Sequence, residues 1–380
     1  MIIVHIISAL PIGGAEKALF NLLSEDVGLS NKHIVISLSS QGFFGKKMID
    51  IGVTVIALGI KNPLLSIFIL VKLYRLISSI KPDIIQGWMY QGNLVAWVSR
   101  TFFCQKSTLI WGVRHSLSDI HKETLRMRLT IRANKVLSSN PDAIVYNSII
   151  SKGQHEEYGF CHKTSLVIAN GFNTKIFSPP VTFSKPMRRQ LSIPITSLVI
   201  GIFGRFHPMK NHKGFILAAI ELLHLNEDIH FLLVGNGVDS NNIELNKLIP
   251  RQFRKSFHLL GAREDIPELM KVLDILCVGS QWGEAFPNVI GEAMSTGVIC
   301  VSTDVGDSRH IIGNTGIVAS FNDEDGLLNA LKDAMFIPKE DRINLGKDAR
   351  RRIINLYSIE LMTARFIDLY SQLVNNKGRQ

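Results

Sequence analysis

Short, nearly continuous runs of apolar and β-branched residues recur along the chain, and stretches with helical spacing separate them. The first set covers residues 2–9, 33–38, 53–58, 83–86, 108–113, 143–147 and 166–168. Runs that are apolar at successive positions suit strands covered on both faces. Their alternation with helices predicts parallel sheets joined by crossover helices. The pattern breaks over 171–196, which contains four prolines and no sustained period. It restarts at 198–203, 231–234, 257–260, 275–278 and 299–302. The fold class expected is therefore α/β, with two doubly wound Rossmann-like domains facing a cleft. The boundaries expected are 1–175 for the first domain, 176–196 for a linker and 197–355 for the second. A closing helix within 356–380, centred on 359–373, is expected to pack back towards the first domain. In such sheets ligands bind beyond the carboxyl ends of the strands, so the loops after strands are where chemistry is sought.

Composition narrows the class. With 380 residues, 46% apolar and 19% charged, the chain has material for two cores and is not of disordered type. The opening MIIVHIISAL lacks a basic lead-in and a small-residue cleavage site, and reads as a first buried strand. The most apolar later stretch, 64–80, sets Lys72, Arg75 and Ser79 on one side at helical spacing. It reads as an amphipathic core helix, not a membrane span. Cys104, Cys161, Cys277 and Cys300 form no C-x-x-C pair and read as reduced core residues. A cytoplasmic protein is expected.

Charge changes the picture once. Residues 1–180 carry 19 Lys and Arg against 10 Asp and Glu, whereas 181–380 carry 23 against 22. A basic half suggests an anionic partner such as a nucleic acid, an anionic membrane or a phosphorylated substrate, unless the charge serves solubility alone.

Several loops carry candidate chemistry. Gly13 and Gly14 follow the first strand where a helix begins. Paired glycines let backbone approach a ligand, and a helix N-terminus offers N–H groups to phosphate. No G-x-G-x-x-G is present, and the second strand ends without an acidic residue for a ribose. Arg205 and Lys210 stand on the loop after the second domain's first strand, where two cations can clamp a diphosphate. In Gly283–Glu292, Asn288 is a candidate N-cap following Pro287. Glu284 and Glu292 flank that helix start, acceptor-only carboxylates suited to sugar and ribose hydroxyls. His115, in Trp111–Ser116, is either an acid/base in a cleft or a satisfied core histidine. Residues 121–135 set Lys122, Arg126, Arg128, Arg132 and Lys135 among apolar residues. That face suits an anionic membrane surface or a pyrophosphate-linked acceptor, or is simply solvated. Asp323-Glu324-Asp325 satisfies a literal D-x-D, but precedes Gly326 and an apolar helix. It reads as first-turn acids, and no metal or other cofactor is expected.

Taken in order, GGAE, VIANGFNTKIFSP, GRFHPMKNH, FLLVGNG and GEAFPNVIGEAMSTGVICVSTDVGDS make the chain resemble the family 4 retaining glycosyltransferases of GT-B fold. Glu284 to Glu292 matches that family's E-x₇-E motif. WGVRHS and GDSRHIIG resemble a branch serving bacterial O-antigen, capsule and exopolysaccharide synthesis. The resemblance implies a nucleotide-sugar donor, a UDP-sugar among the candidates, and a lipid-linked or saccharide acceptor. A nucleic-acid partner is not implied. Arg205 and Lys210 would neutralise the donor diphosphate, aided by backbone at Gly13 and Gly14. Glu292 would hold the ribose and Glu284 the transferred sugar. The backbone at Phe286, Pro287, Asn288 and Val289 would meet sugar and phosphate. His115 would sit beside the sugar, and Gly235 and Arg263 would border the base. The catalytic set implied is His115, Glu284, Arg205 and Lys210. Ala285 stands where the family more often has glycine, which leaves the donor sugar open. A nucleotide-sugar 2-epimerase of the same architecture and a non-catalytic sugar- or nucleotide-binding protein are the competing readings.

Overall fold

In a computed structural model, residues 1–26, 31–59, 67–180, 185–320, 323 and 325–377 are described. The chain divides into two compact units, Met1–Gly171 with Ile359–Gln380, and Phe172–Ser358.

Unit 1 is a seven-stranded parallel sheet of β1 (Ile2–Ile7), β2 (Lys32–Ser37), β3 (Thr54–Ala57), β4 (Ile84–Trp88), β5 (Thr108–Val113), β6 (Ala143–Tyr146) and β7 (Ser165–Val167). The strand order is β3-β2-β1-β4-β5-β6-β7, with Ile3 paired to His33 on one side and Ile84 on the other. Alternate residues of each strand serve opposite cores. Ile3, Ile7, Val35, Ile84 and Ile110 pack beneath the Gly14–Asp26 helix, through its Ala18, Leu19, Leu22 and Leu23. Val4, Ile6, Ile34, Ile36, Ile85, Leu109 and Trp111 face the other way, onto Leu73 and Ile77 of the Ile67–Ile80 helix. Coverage on both faces explains why these strands read as unbroken apolar runs.

The last helix, Ile359–Lys377, belongs to the first of these cores. Its buried Ile359, Met362, Thr363, Phe366 and Tyr370 fall on one stripe at spacings of three and four. Each large side chain so covered contributes about 1.5–3 kcal/mol. Tyr370 also donates its hydroxyl to the Gln86 side chain.

Unit 2 is a six-stranded parallel sheet of β8 (Leu198–Phe203), β9 (Ile229–Val234), β10 (Phe257–Leu259), β11 (Ile275–Val278), β12 (Ile299–Thr303) and β13 (Ile317–Ala319), in the order β10-β9-β8-β11-β12-β13. Its core packs Ile200, Ile202, Phe231, Leu233, Ile275 and Val301 against Phe215, Ile216, Ala219 and Leu222 of the His212–Leu225 helix. Strand β13 is not anticipated by the sequence reading.

The interdomain segment differs from expectation. The first unit ends at Gly171, not at 175, because Phe172 belongs to the second. Its amide donates to Tyr357 O at 2.9 Å, and its ring lies against the bare backbone of Gly291 and stacks on Phe286. The second unit runs on to Ser358 instead of 355. Within the expected linker, Lys185–Gln190 is helical and Arg188 is buried. The Arg188 guanidinium donates to Ile195 O, Ser197 O, Val272 O and Asp274 Oδ2. This arginine pins the segment to the sheet, so the prolines mark a well-anchored strap. Cys277 and Cys300 are buried, with their thiols pushed up by burial. Cys104 and Cys161 are only half-buried; Cys104 packs at the margin of the unit 1 core.

Candidate active site

In unit 2 the strand order reverses between β8 and β11, which are hydrogen-bonded neighbours. The loops after these two strands diverge, leaving the crevice where doubly wound sheets hold ligands. The first carries Arg205 and Lys210, the second Glu284. The loops are tied together where Gln281 N donates to Met209 O at 2.9 Å. Lys210 Nζ is in direct contact with Glu284 Oε1, which also accepts from Ser280 Oγ at 2.8 Å. The side chains of Lys210 and Glu284 keep only 19% and 12% exposure. That is enough for a ligand to reach them, and little enough to strengthen a charge-assisted bond. Ser280 opens the segment that the sequence singles out, but it is a site member to which sequence reasoning gave no role. Its signal is its position directly beyond the end of β11.

Arg205, on the first of these loops, is exposed and makes no hydrogen bond or ion pair among the described residues. Its loop is held by backbone bonds and by side chains: His207 Nδ1 accepts from Met209 N at 3.2 Å, and the Phe206 ring packs against His212. Gly204 N donates to Val234 O and Phe206 N to Asn236 O, both at 2.8 Å. Gly235, at φ +155°, lies so close that a Cβ there would strike the Gly204 carbonyl. Gly235 therefore sets the position of the Arg205 loop. His212 follows the loop at the start of the next helix, and burial brings its pKa down to about 4. It is neutral at pH 7 and adds no cation to the crevice.

The Glu284 loop is braced in the same manner. Gly306, at φ +59°, presses on the carbonyls of Glu284 and Ala285, and Asp307 N donates to Ala285 O at 2.9 Å. Ala285, Phe286 and Pro287 are buried, and the Phe286 ring sits between Phe172 and Tyr357. These side chains anchor the loop, so only its backbone is available to a ligand. The helix after it spans Asn288–Ser295, with Pro287 at the N-cap position and no side-chain cap. The expected Asn288 cap is thus corrected. Proline's fixed φ supplies the extended residue before the helix, and Asn288 opens the first turn. Asn288 and Val289 are half-exposed there, and Glu292 is buried one turn further in.

Arg263 does not join this cluster. It forms a two-bond fork onto Asp265, at 2.8 and 2.6 Å, on the loop after β10. The Asp265 hydrogen bonds raise the arginine's pKa and hold the carboxyl low. Of the D-x-D, Glu324 lies outside the described residues. Asp323 Oδ1 accepts from Asp325 N ahead of the Gly326–Phe336 helix, a local turn role.

In unit 1, Gly13 is the last residue before the Gly14–Asp26 helix, whose first turn carries Glu16. A Cβ on Gly13 would run into the Glu16 carboxylate, and burial raises that carboxyl's pKa. His115 follows β5 and is half-exposed, so it is not a satisfied core histidine. Its Nε2 donates to Glu123 Oε1 at 2.8 Å. Glu123 was not singled out in the sequence. It sits eight residues on, across a loop with no period to flag it.

Against this geometry the comparisons can be set. The model of Glycosyltransferase Family 4 matches residues 12–176, and that of Glycosyl transferases group 1 matches 197–335. The chain belongs to these glycosyltransferases. It is 31% identical over 216 residues to the Escherichia coli UDP-Gal:alpha-D-GlcNAc-diphosphoundecaprenol alpha-1,3-galactosyltransferase, covering 56% of this chain and 55% of that one. It thus spans about half the length of that relative, and the same holds for the lipopolysaccharide core mannosyltransferase LpsB of Rhizobium meliloti, at 52%. Among solved structures, Anabaena Alr3699/HepE in complex with UDP matches at 20% identity and a TM-score of 0.83, over 98% of this chain and all of that one. The fold is GT-B.

Proposed function

We propose that this glycosyltransferase moves a sugar from a UDP-sugar to a lipid-linked or saccharide acceptor, with retention at the anomeric carbon, in bacterial surface-polysaccharide synthesis. The observation that carries the reading is the Lys210–Glu284–Ser280 cluster beside Arg205, at the strand-order reversal of unit 2. Support also comes from relatives: HepE was solved with UDP and with UDP-glucose, and the E. coli relative is named for UDP-Gal and a diphosphoundecaprenol acceptor. The matched family models lend nothing to a 2-epimerase.

The chemistry needed is stabilisation of a departing nucleoside diphosphate and of an oxocarbenium-like sugar. Arg205 and Lys210 meet the first need, aided by the N-terminus of the Asn288–Ser295 helix. Donor arrival would draw Lys210 partly from Glu284 to the diphosphate, freeing the carboxylate for sugar hydroxyls. Glu292 takes the ribose, Gly235 and Arg263 border the base, and Gly13, Gly14 and His115 serve from unit 1. No resident metal is required, so EDTA should leave turnover unchanged. Calorimetric titration of UDP tests the donor site directly. Binding should weaken at least tenfold in Lys210→Ala, and unchanged binding in both Lys210→Ala and Arg205→Ala would sink the assignment.

We further propose that unit 1 meets an anionic membrane, with the protein on the cytoplasmic side. Among the described residues no helix is long and apolar enough to cross a bilayer. The Leu125–Leu137 helix, however, exposes Leu125, Leu129 and Val136 at 69%, 55% and 77%, with exposed Lys122, Arg126 and Arg132 alongside. Apolar residues ringed by cations suit an interfacial helix. Each cation near such a surface contributes about 1 kcal/mol. Sedimentation with phosphatidylglycerol vesicles should fall several-fold in Arg126→Glu and at high salt; binding equal to that on neutral vesicles would refute it.

A further inference from the structure

The amino ends of the unit 2 strands hold a feature that the donor chemistry does not use. A cavity of about 380 Å³ opens where the chain enters β11 and β12, lined by Leu273, Asp274, Thr296, Gly297 and Val298. It is at the opposite edge of the sheet from Lys210 and Glu284, which follow the carboxyl ends of β8 and β11. Six cationic side chains line it, namely Arg188, Lys271, Lys339, Arg342, Lys347 and Arg350, against the single carboxylate of Asp274.

That carboxylate is already engaged. Its Oδ2 accepts from Arg188 and from Val199 N, both at 2.9 Å. Lys271 has its own partner in Glu268 at 2.6 Å. Arg350 donates only to the carbonyls of Thr174, Phe177 and Ser295, and Arg342 to Ile337 O. Among the described residues neither arginine is paired with a carboxylate. Among the described residues the buried Nε of Arg188 has no acceptor.

The charge is sorted, not scattered. Lys339, Arg342, Lys347 and Arg350 fall on one stripe of the Lys339–Tyr357 helix, while its Glu340, Asp341 and Asp348 are not among the lining residues. Gly346 makes the approach possible, since a Cβ there would strike the Gly297 carbonyl. Two bare backbones in contact bring the stripe to the rim of the cavity. This segregation occurs in the half of the sequence where Lys and Arg only just outnumber Asp and Glu.

We propose that this cavity is a second anion site, taking a phosphomonoester or diphosphate group. Arg342, Lys347 and Arg350 have no carboxylate partner among the described residues, which favours a multiply charged anion, and the open edge of the Arg342 guanidinium suits phosphate oxygens. The volume is within the range of small-molecule sites. The group arrives either on a free metabolite or on a lipid headgroup.

Calorimetry with inorganic pyrophosphate on the full chain tests this, using Arg205→Ala/Lys210→Ala as background to remove binding at the donor crevice. That background should still bind one pyrophosphate. Adding Lys347→Glu, at an exposed position, should weaken binding at least tenfold while leaving the ligand-free melting temperature in place. Arg342→Gln should weaken it less. Absence of binding in the background, or equal affinity in both added variants, would overturn the site without touching the donor assignment. Loss of binding to phosphatidic-acid vesicles on Lys347→Glu would assign the group to a headgroup. Vesicle binding unaffected by a change that abolishes pyrophosphate binding would assign it to a free ligand.

Discussion

The two units share a strand order but use their polar residues differently. Unit 1 commits many of them to its interior. Trp88 Nε1 donates to His5 Nδ1 at 3.1 Å, His5 Nε2 to His33 Nδ1 at 3.0 Å, and His33 Nε2 to Asp26 Oδ2 at 2.6 Å. Every donor in that chain finds an acceptor with both histidines neutral, so a polar thread can run through an apolar sheet. At its carboxyl edge, unit 1 offers a glycine turn and the half-exposed His115–Glu123 pair. Unit 2 instead gathers Lys210, Glu284 and Ser280 at that edge and fixes their loops with glycines in contact with backbone. The lesson is that preorganisation is concentrated in unit 2, where charge must be stabilised, whereas unit 1 supplies fewer and looser groups.

The largest expected effect follows from that asymmetry. Lys210→Ala or Glu284→Ala should lower turnover by roughly a hundredfold or more, on the scale of losing one preorganised electrostatic group, with the melting temperature retained. His115→Ala should cost roughly tenfold to a hundredfold. Steady-state kinetics showing the reverse ranking would break the comparison. Next come the glycines. Gly306→Ala or Gly235→Ala forces a side chain into backbone and should destabilise by about 1–3 kcal/mol in denaturant titrations. Gly13→Ala meets only the end of the Glu16 side chain and should cost less than about 1 kcal/mol.

Acid should weaken both units. Burial brings His155 in unit 1, and His212 and His258 in unit 2, down to about 4. Burial and His33 also hold His5 well below its usual value. Unfolded histidines titrate near 6.5, so between 6.5 and 4 the unfolded chain binds more protons. Stability is then present above 6.5 and lost as pH falls towards 4. A melting temperature flat across that window would contradict the burial. The smallest effect is at Glu123→Gln, which keeps an acceptor for His115 and should reduce turnover only a few-fold; Glu123→Ala should reduce it more.

Much of this was legible in the sequence. Among the described residues, twelve of the thirteen strands are anticipated, most of them because burial on both faces leaves unbroken apolar runs, and β13 is not. The Glu284–Glu292 spacing and the Arg205–Lys210 loop could be read because their residues are close in sequence. What could not be read depends on how loops fold back and, for Arg188, on a contact far along the chain. Ser280 meets Glu284 only through a loop turn, Glu123 reaches His115 across a loop, and Arg188 leaves an apparent linker to find Asp274. Asn288 failed as a cap because the preceding proline already supplies the extended residue that a cap needs.

The central claim, that unit 2 carries the donor site of a transferase, is tested most directly by a donor screen. The full chain would be incubated with individual UDP-sugars and a bacterial lipid extract, following UDP release and sugar label in the lipid, with Glu284→Ala alongside. Release coupled to lipid labelling for one donor, and lost in Glu284→Ala, is the result predicted. Isomerisation of the donor without labelled lipid, or transfer undiminished in Glu284→Ala, would contradict it.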